Sequence, residues 1–287
     1  MDGLIVVDKP AGITSHDVVD QIRVRLRTKR VGHGGTLDPD ATGVLVIGVG
    51  RATRLLEYAQ AAPKRYRATA SFGKTTSTQD ASGEVISTAP AEHLTESMVA
   101  SALADFRGEI EQVPPMVSAV KVAGERLYKK ARRGEEIERP ARRVVVYDIE
   151  LLAFDPGDEP RAELEVTCSA GTYIRTLVHD LGARLGCGAF LRDLRRTASG
   201  GFTEDDAVDP SSIGPESLLP LAAAVGDMPR LDLSEDQARM VGHGRALPAA
   251  DDLAEGQAVA LFSAGELIAV YRRSGPELVA DRVLTAA

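Results

Sequence analysis

The residues best suited to chemistry in this 287-residue chain lie between Gly32 and Gly43. The stretch reads Gly-His-Gly-Gly-Thr-Leu-Asp-Pro-Asp-Ala-Thr-Gly, so one histidine and two aspartates stand among glycines. Glycine lets the backbone approach a ligand closely, and Pro39 stiffens the chain directly after Asp38. Asp38 is therefore a candidate catalytic carboxylate. A tight surface turn, in which Asp38 accepts from nearby N–H groups, explains the same composition.

The same glycines do not form a nucleotide-binding motif. The Gly-Lys-Ser/Thr ending of a phosphate-binding loop is missing, and Gly48-Val49-Gly50 does not complete the dinucleotide fingerprint. The five histidines lack the spacing of metal ligands, and two cysteines are too few for a disulfide framework or a four-thiolate zinc site. The sequence therefore predicts no metal and no cofactor, and it disfavours a nucleotide-dependent enzyme.

Charge is unevenly distributed along the chain. The 34 Lys and Arg against 42 Asp and Glu give a net charge of −8, which argues against a nonspecific coat for nucleic acid. Segments 21–54 and 118–145 nevertheless each carry a net charge of +5, whereas 204–217 holds five acidic residues and no basic one. This segregation fits a protein that holds a polyanion on one face, and it also fits ordinary solvated helix faces.

Hydrophobic periodicity predicts the elements that must position Asp38. A buried strand at 4–7 precedes a helix capped by Thr14 or Ser15, and a second buried strand at 44–49 follows the glycine-rich stretch. Further strands are predicted at 64–72, 144–154 and 162–168, and helices at 52–59, 96–106 and 173–185. Strands and helices that mix without strict alternation favour an α+β fold with a mixed, mainly antiparallel central sheet and flanking helices.

The chain length favours about two domains. A cluster of Pro, Gly and Ser within 210–230 marks the boundary, after which Ser234 is expected to cap a helix. Three short apolar stretches within 258–283 are separated by glycines, as in a small β-barrel-like unit. We therefore predict a larger domain over 1–230 and a small β-rich domain over 231–287.

Several segments, in order along residues 4–200, resemble one known family. They are Gly32–Gly43 with its continuation to Arg54, Val7–Pro10 with Gly12–Ser15, Lys64–Arg67, Thr75–Gly83, Pro114–Lys121 with Tyr128, Gly171–Arg175 and Leu185–Ala189. The family they resemble is TruB, the tRNA pseudouridine synthases that act on the T-loop uridine at position 55. Many members carry a threonine where this chain has Gly34, from which we expect a slightly altered loop and no loss of activity. The segment after 230 resembles the PUA domain of bacterial members.

The resemblance implies a pseudouridine synthase fold and a reaction that needs no cofactor. Breaking the C1′–N1 bond of uridine and rejoining the base through C5 requires a carboxylate that stays ionised at the sugar, as nucleophile or as base at C2′. By the family pattern this residue is Asp38, and Arg175 matches the arginine that pairs with it. Tyr66 matches the active-site tyrosine, which stacks on the flipped base and is a candidate to take the C5 proton.

The same resemblance assigns further residues to RNA binding. His33 matches the histidine that fills the place of the flipped base, Tyr173 matches a second pocket wall, and Asp80 matches an acid near the pocket. Lys9 is a candidate phosphate contact or active-site neighbour. Each of these four also fits an ordinary structural role. The basic segment 118–145 matches an insertion that clamps RNA. Its expected phosphate-contacting residues are Lys129, Lys130, Arg132 and Arg133.

The expected partner is the T-arm stem-loop of tRNA, bound by a monomer with no obligatory protein partner. No apolar run approaches the ~18 residues that a membrane helix needs, and no signal peptide is evident, so we expect a soluble, cytoplasmic protein. The rival interpretation is a noncatalytic tRNA-binding or tRNA-folding chaperone that retains the cleft. The presence of Asp38, Tyr66 and Arg175 argues against that rival.

Overall fold

The computed structural model describes residues 1–115, 121–122, 125–126 and 139–284. Two sheets carry the fold of these residues, one with nine strands and one with five. The expected α+β class with a mixed, mainly antiparallel central sheet is confirmed. The four predicted phosphate-contacting residues Lys129, Lys130, Arg132 and Arg133 lie outside the described residues.

The larger sheet runs in the order β1-β3-β12-β4-β11-β10-β7, with β2 paired to β3 and β13 paired to β12. Two separate hairpins, β5-β6 and β8-β9, accompany it. In chain order these strands are β1 (Gly3–Lys9), β2 (Val31–His33), β3 (Thr42–Val49), β4 (Lys64–Phe72), β5 (Lys74–Thr76), β6 (Val85–Thr88), β7 (Gly108–Gln112), β8 (Lys121–Val122), β9 (Glu125–Arg126), β10 (Arg142–Asp155), β11 (Arg161–Cys168), β12 (Ala189–Ser199) and β13 (Phe202–Thr203).

Strand β12 joins the two halves of the larger sheet. It pairs parallel with β3 on one side and antiparallel with β4 on the other. At the parallel contact Arg196 lies opposite Gly43, whose φ is +99°; a Cβ there would lie 2.2 Å from the carbonyl oxygen of Arg196. Only glycine fits this close approach, so the end of the glycine-rich stretch is fixed against β12.

Four helices accompany the larger sheet among the described residues. Thr14 is the N-cap of the first, and its side chain and that of Asp17 form a reciprocal capping box. Leu55 lies between a 3-10 turn (Gly50–Arg54) and the second helix, so the single helix expected at 52–59 is two shorter elements. The helices are α1 (Ser15–Arg25), α2 (Leu56–Ala61), α3 (Glu96–Leu103) and α4 (Ile174–Arg184).

The C-terminal segment forms the second sheet, in the order β14-β16-β17-β18-β15, with α5 (Glu235–Gly242) beside it. Ser234 caps this helix as expected. An apolar cluster joins this sheet to α2 and to the turn before it, and its buried members are Leu55, Val225, Ala260, Phe262, Leu267, Val270 and Leu284. The strands are β14 (Arg230–Asp232), β15 (Leu247–Pro248), β16 (Ala258–Ser263), β17 (Glu266–Ser274) and β18 (Glu277–Val283).

None of the helices in the described part of the chain is long and apolar enough to cross a membrane.

Candidate active site

A cavity of about 660 Å³ opens between the glycine-rich stretch, β4, β12 and the start of α4. Five of the predicted site residues line it: His33, Asp38, Tyr66, Tyr173 and Arg175. A second cavity of about 300 Å³ adjoins it, shares Asp38 and Arg175 with it, and contains Asp80. The fold therefore gathers residues from four separate segments around the pair formed by Asp38 and Arg175.

Arg175 binds two carboxylates with one guanidinium group. Its Nε lies 3.1 Å from Oδ2 of Asp38, and its Nη2 donates to Oδ1 of Asp38 at 3.3 Å. Its Nη1 donates to Oδ2 of Asp80 at 3.2 Å. The Arg175 side chain is only 5% exposed, whereas that of Asp38 keeps 43% of its surface open to the cavities. The bidentate pair fixes the orientation of the Asp38 carboxylate, and one face of that carboxylate remains accessible.

The start of α4 holds Arg175 in place. Tyr173 precedes this helix, and its backbone is bound on both sides by the buried side chain of Gln112. Tyr173 N donates to Gln112 Oε1 at 2.9 Å, and Gln112 Nε2 donates to Tyr173 O at 3.2 Å. One glutamine on β7 therefore satisfies the Tyr173 N–H, which the helix start leaves without a partner, and adds a second donor to Tyr173 O, which also accepts from Leu177 N.

Asp80 is held by its own loop as well as by Arg175. Its Oδ1 accepts from the backbone N of Ser82 at 3.0 Å and from the hydroxyl groups of Thr78 and Ser82. Gln79, immediately before it, has φ +63° and accepts from the Thr176 hydroxyl of α4 at 3.0 Å. The loop thus fixes Asp80 as the second anion on Arg175.

The two residues next to Asp38 are each tied to the rest of the domain. Ser15 Oγ donates to Leu37 O at 3.2 Å and accepts from Leu37 N at 2.9 Å. Lys9 Nζ donates to Pro39 O at 2.9 Å. These contacts hold the backbone on both sides of the candidate catalytic carboxylate, so Asp38 does not sit on a free surface turn.

The ammonium group of Lys9 is surrounded by backbone carbonyls. Its side chain is fully buried, and its ammonium also donates to Pro10 O and Ile13 O, at 2.8 and 2.7 Å. All three of its donors are therefore used by backbone carbonyls. Burial lowers the pKa of Lys9 to about 8. The Lys9 ammonium therefore has no N–H left for a phosphate, and its assignment as an active-site neighbour stays a prediction.

Asp38 sits in an environment that opposes its charge. Burial raises the pKa of Asp38 above its ordinary value, and the negative charge of Asp80 raises it further, whereas Arg175 lowers it. The carboxylate is thus a stronger base than an exposed aspartate, and it depends on Arg175 for its ionised form. Both properties suit a group that must attack an electrophilic carbon or accept a proton.

Tyr66 is buried on β4 beside Arg196 of β12, its register partner. Burial raises the pKa of the Tyr66 hydroxyl, and the Arg196 guanidinium, which hydrogen-bonds to it, acts in the opposite direction. Arg196 is itself 1% exposed and donates from Nε to Val44 O at 2.6 Å. Tyr66 is therefore a neutral phenol at neutral pH, with its ring on the cavity wall.

Sequence reasoning missed Arg196, Gln112 and the role of Ser15. The signal for Arg196 is the pair Arg195-Arg196: successive residues of a strand point to opposite faces, so one of the two must face the interior. Arg195 takes the outer position and pairs with Asp8 at 2.9 Å. Nothing local distinguishes Gln112, because its partner is 61 residues away.

Solved structures with the same architecture narrow the class of protein. One is described as the crystal structure of a Cbf5-Nop10-Gar1 complex, with TM-score 0.76 and 29% identity over 99% of this chain and 85% of that chain. Another is an H/ACA RNP bound to a substrate RNA containing 2′-deoxyuridine, with TM-score 0.74 and 26% identity over 99% of this chain and 85% of that chain. Together with the site, these likenesses define the pseudouridine synthase fold.

Sequence comparison narrows the class to one family. The chain is 53% identical to tRNA pseudouridine synthase B of Symbiobacterium thermophilum, over 86% of this chain and 83% of that protein. It is 44% identical to the protein of the same name from Mycobacterium tuberculosis, over 99% and 96%. The chain belongs to the TruB family of pseudouridylate synthases and is an isomerase. The matching models are the TruB family N-terminal domain (23–174), the tRNA pseudouridylate synthase B C-terminal domain (175–214) and the tRNA pseudouridine synthase II C-terminal domain (228–285).

Proposed function

We propose that this chain isomerises uridine to pseudouridine at position 55, in the T-loop of tRNA. The observation that carries the proposal is the Asp38 carboxylate, held by both oxygens on Arg175 and open to a cavity of about 660 Å³. A cavity of this size accommodates a nucleoside. The curated relatives, which are named tRNA pseudouridine synthase B, support tRNA as the substrate.

The proposed reaction breaks the C1′–N1 bond and forms a C1′–C5 bond. Asp38 either attacks C1′ and is later displaced by C5, or removes the proton at C2′ and returns it. In both routes the base leaves as an anion, turns, and loses its C5 proton while N1 gains one, so the product is an isomer of the substrate. Arg175 keeps Asp38 ionised until the reaction begins, against the burial that raises the pKa of Asp38.

The target uridine must leave the stack of the T-loop to reach Asp38, which costs a few kcal/mol. Stacking on an aromatic ring offsets about 1–3 kcal/mol of this cost. We assign this role to Tyr66, with Tyr173 as a second wall; His33 also lines the cavity. Because the pKa of Tyr66 is raised, its phenol is better suited to stacking than to removing the C5 proton.

We further propose that segment 118–145 grips the RNA backbone and that the C-terminal domain is PUA-like and binds tRNA beyond the T-loop. Replacing Lys129, Lys130, Arg132 and Arg133 with Ala removes four positive charges, so fewer counterions are released on binding. We expect weaker tRNA binding and a shallower dependence of log affinity on log salt. Binding isotherms between 50 and 300 mM salt measure the slope, and an unchanged slope contradicts the assignment.

The function is tested by incubating the protein with an unmodified T-arm stem-loop and mapping pseudouridine by chemical probing. We expect conversion at position 55 only, without added metal or nucleotide. Tight binding without conversion favours the rival tRNA-folding chaperone, and conversion at another uridine contradicts the proposed position. Gel filtration of the free protein and of the complex tests the expected monomer.

A further inference from the structure

Helix α2 (Leu56–Ala61) forms part of the floor beneath the glycine-rich stretch. A Cβ at Gly32 would lie 3.1 Å from Leu56 Cδ1, and one at Gly34 would lie 3.0 Å from Ala59 Cβ. Gln60 Nε2 also donates to His33 O at 3.4 Å. The absence of these two Cβ atoms allows α2 to pack directly against the strand and loop that lead to Asp38.

The same helix is tied to the strand that carries Tyr66. The buried ammonium group of Lys64, the first residue of β4, donates to three carbonyls at the C-terminal end of α2. These carbonyls belong to Ala59, Gln60 and Ala62. A displacement of α2 would therefore be felt on two sides of the cavity, at the approach to Asp38 and at the start of β4.

The C-terminal sheet holds the opposite face of α2. Arg282 of β18 lies with Nε 2.7 Å from Oε1 of Glu57 and donates from Nη2 to Oε2 at 3.0 Å. Tyr58 donates its hydroxyl to Asp281 Oδ2 at 3.0 Å. Leu55, just before α2, is fully buried in the apolar cluster between this helix and the C-terminal sheet.

Glu57 is the link to the active site, because it lines the same cavity as Asp38 and Tyr66. A carboxylate in that position repels the phosphate groups of an incoming RNA unless its charge is neutralised. The ion pair with Arg282 neutralises Glu57, and the hydrogen bond from Arg282 Nη2 to Oε2 helps to fix its orientation. Arg282 thus acts on a residue of the cavity wall, Glu57, from a sheet that begins at residue 230.

We propose that the C-terminal domain is a structural part of the catalytic pocket, with Arg282 acting as a positioning residue through Glu57 and α2. This inference rests on the proposed function only in those tests that measure turnover. A role in RNA binding alone would change the affinity for RNA. The role proposed here changes the rate at which the bound complex converts uridine.

The first test compares Arg282→Ala with Arg239→Ala. Arg239 is an exposed arginine of the same domain, on α5, and pairs with Asp236, so its loss removes the same charge away from α2. With enzyme in excess of a T-arm stem-loop and at saturation, we expect Arg282→Ala to slow conversion about tenfold and Arg239→Ala to leave the rate unchanged. Equal rates in the two variants, or a loss of affinity with the saturated rate intact, overturn the proposal.

A charge swap separates positioning from direct contact with RNA. Glu57→Arg and Arg282→Glu are each expected to slow the saturated rate, and the double variant is expected to return to within about threefold of the parent. A direct contact between residue 282 and phosphate would not survive the swap, so a double variant slower than either single variant overturns the proposal.

A measurement on the free protein needs no turnover. Hydrogen exchange is expected to be faster at 32–38 and 56–62 in Arg282→Ala than in the parent or in Arg239→Ala, because α2 loses its outer support. Unchanged exchange in both segments overturns the inference even in a protein that converts no uridine. A failure of the proposed function and a failure of this inference are therefore distinguishable.

Discussion

Two clusters of charge in this chain use the same chemical groups in different ways. In the proposed active site the Arg175 side chain is 5% exposed and holds Asp38 and Asp80. At the contact between α2 and the C-terminal sheet, Arg282 and Glu57 are 38% and 41% exposed and lie beside an apolar cluster. Arg175 fixes the orientation of the two carboxylates that it binds. The pair of Arg282 and Glu57 aligns two surfaces that apolar packing already holds together.

The difference follows from the energetics of ion pairs. A half-exposed pair contributes about 0–1 kcal/mol to stability, so the buried apolar side chains must supply most of the attachment of the C-terminal sheet. A buried pair carries a desolvation cost that its own attraction only partly offsets. We therefore expect active-site variants to change the rate more than the stability, and variants of the apolar cluster to do the reverse.

The largest effect is expected from Asp38→Asn. The amide keeps the shape of the side chain but neither attacks C1′ nor takes a proton, so single-turnover conversion of a T-arm stem-loop should fall by several orders of magnitude. Affinity for tRNA should change little. The exposed Asp158, in the loop between β10 and β11 and outside both cavities, provides the control, since Asp158→Asn should convert at close to the parent rate.

The same variant tests whether activity and stability are separate at this site. Because the pKa of Asp38 is raised in the folded chain, the folded state holds its proton to a higher pH than the unfolded chain does. Ionisation of Asp38 at neutral pH therefore weakens the fold. Denaturant titration should give Asp38→Asn a free energy of unfolding equal to or above that of the parent, and a large decrease contradicts the comparison.

The second-largest effect is expected on stability, at the apolar cluster between α2 and the C-terminal sheet. Leu55→Ala removes a fully buried side chain from the apolar cluster between α2 and the C-terminal sheet, and we expect the free energy of unfolding to fall by about 2–5 kcal/mol. Arg184→Ala, which removes an exposed ion pair with Asp105 away from this cluster, should cost about 1 kcal/mol or less. Chemical denaturation measures both, and similar losses would remove the distinction between packing and charge.

The packing of Leu55 also bears on truncation. A chain ending at residue 230 would lack Ala260, Phe262, Leu267, Val270 and Leu284, which cover this cluster. We expect such a chain to unfold at a lower temperature than the full chain.

The smallest expected effect is a shift in the midpoint of the acid limb of the pH–rate profile. Protonation of Asp38 abolishes its role, so the rate should fall with decreasing pH through its raised pKa. Asp80→Asn removes a charge that raises this pKa, so the midpoint of the acid limb should move to lower pH, whatever happens to the plateau. Asp193→Asn, at a 73% exposed position, should leave the midpoint in place. A limb that moves to higher pH in Asp80→Asn contradicts the electrostatic account.

Local pattern was sufficient for much of the fold, whereas the central residues of the candidate site were expected from the family resemblance. The strand expected at 64–72 is present as β4, because its alternation of buried and exposed residues is regular. The pairing of Asp38 with Arg175 was expected from the family resemblance, not from spacing, since 137 residues separate them.

The missed elements have a common physical origin. Strand β12 was not predicted because Arg192, Asp193, Arg195 and Arg196 interrupt the apolar alternation, and Arg196 is buried only because carbonyls from a distant strand satisfy it. The same is true of Lys9, whose burial depends on three carbonyls of folded loops. Secondary-structure propensity depends on residues that are close in sequence. Arg196 and Lys9 are instead fixed by partners that come close only when the chain folds.

The position of β12 also sets when the site comes into being during synthesis. Ribosomes add roughly 5–20 residues per second, so β12 follows β3 by roughly 7–30 s. During that interval the edges of β3 and β4 that β12 will join have no partner strand, and open edges invite pairing with other chains. A nascent chain stopped before residue 189 holds Asp38 and Tyr66 without the strand that joins them. The proposed catalytic centre is therefore completed in one late step, when β12 pairs with β3 and β4. Chains that end before β12 have an open sheet edge and an incomplete site.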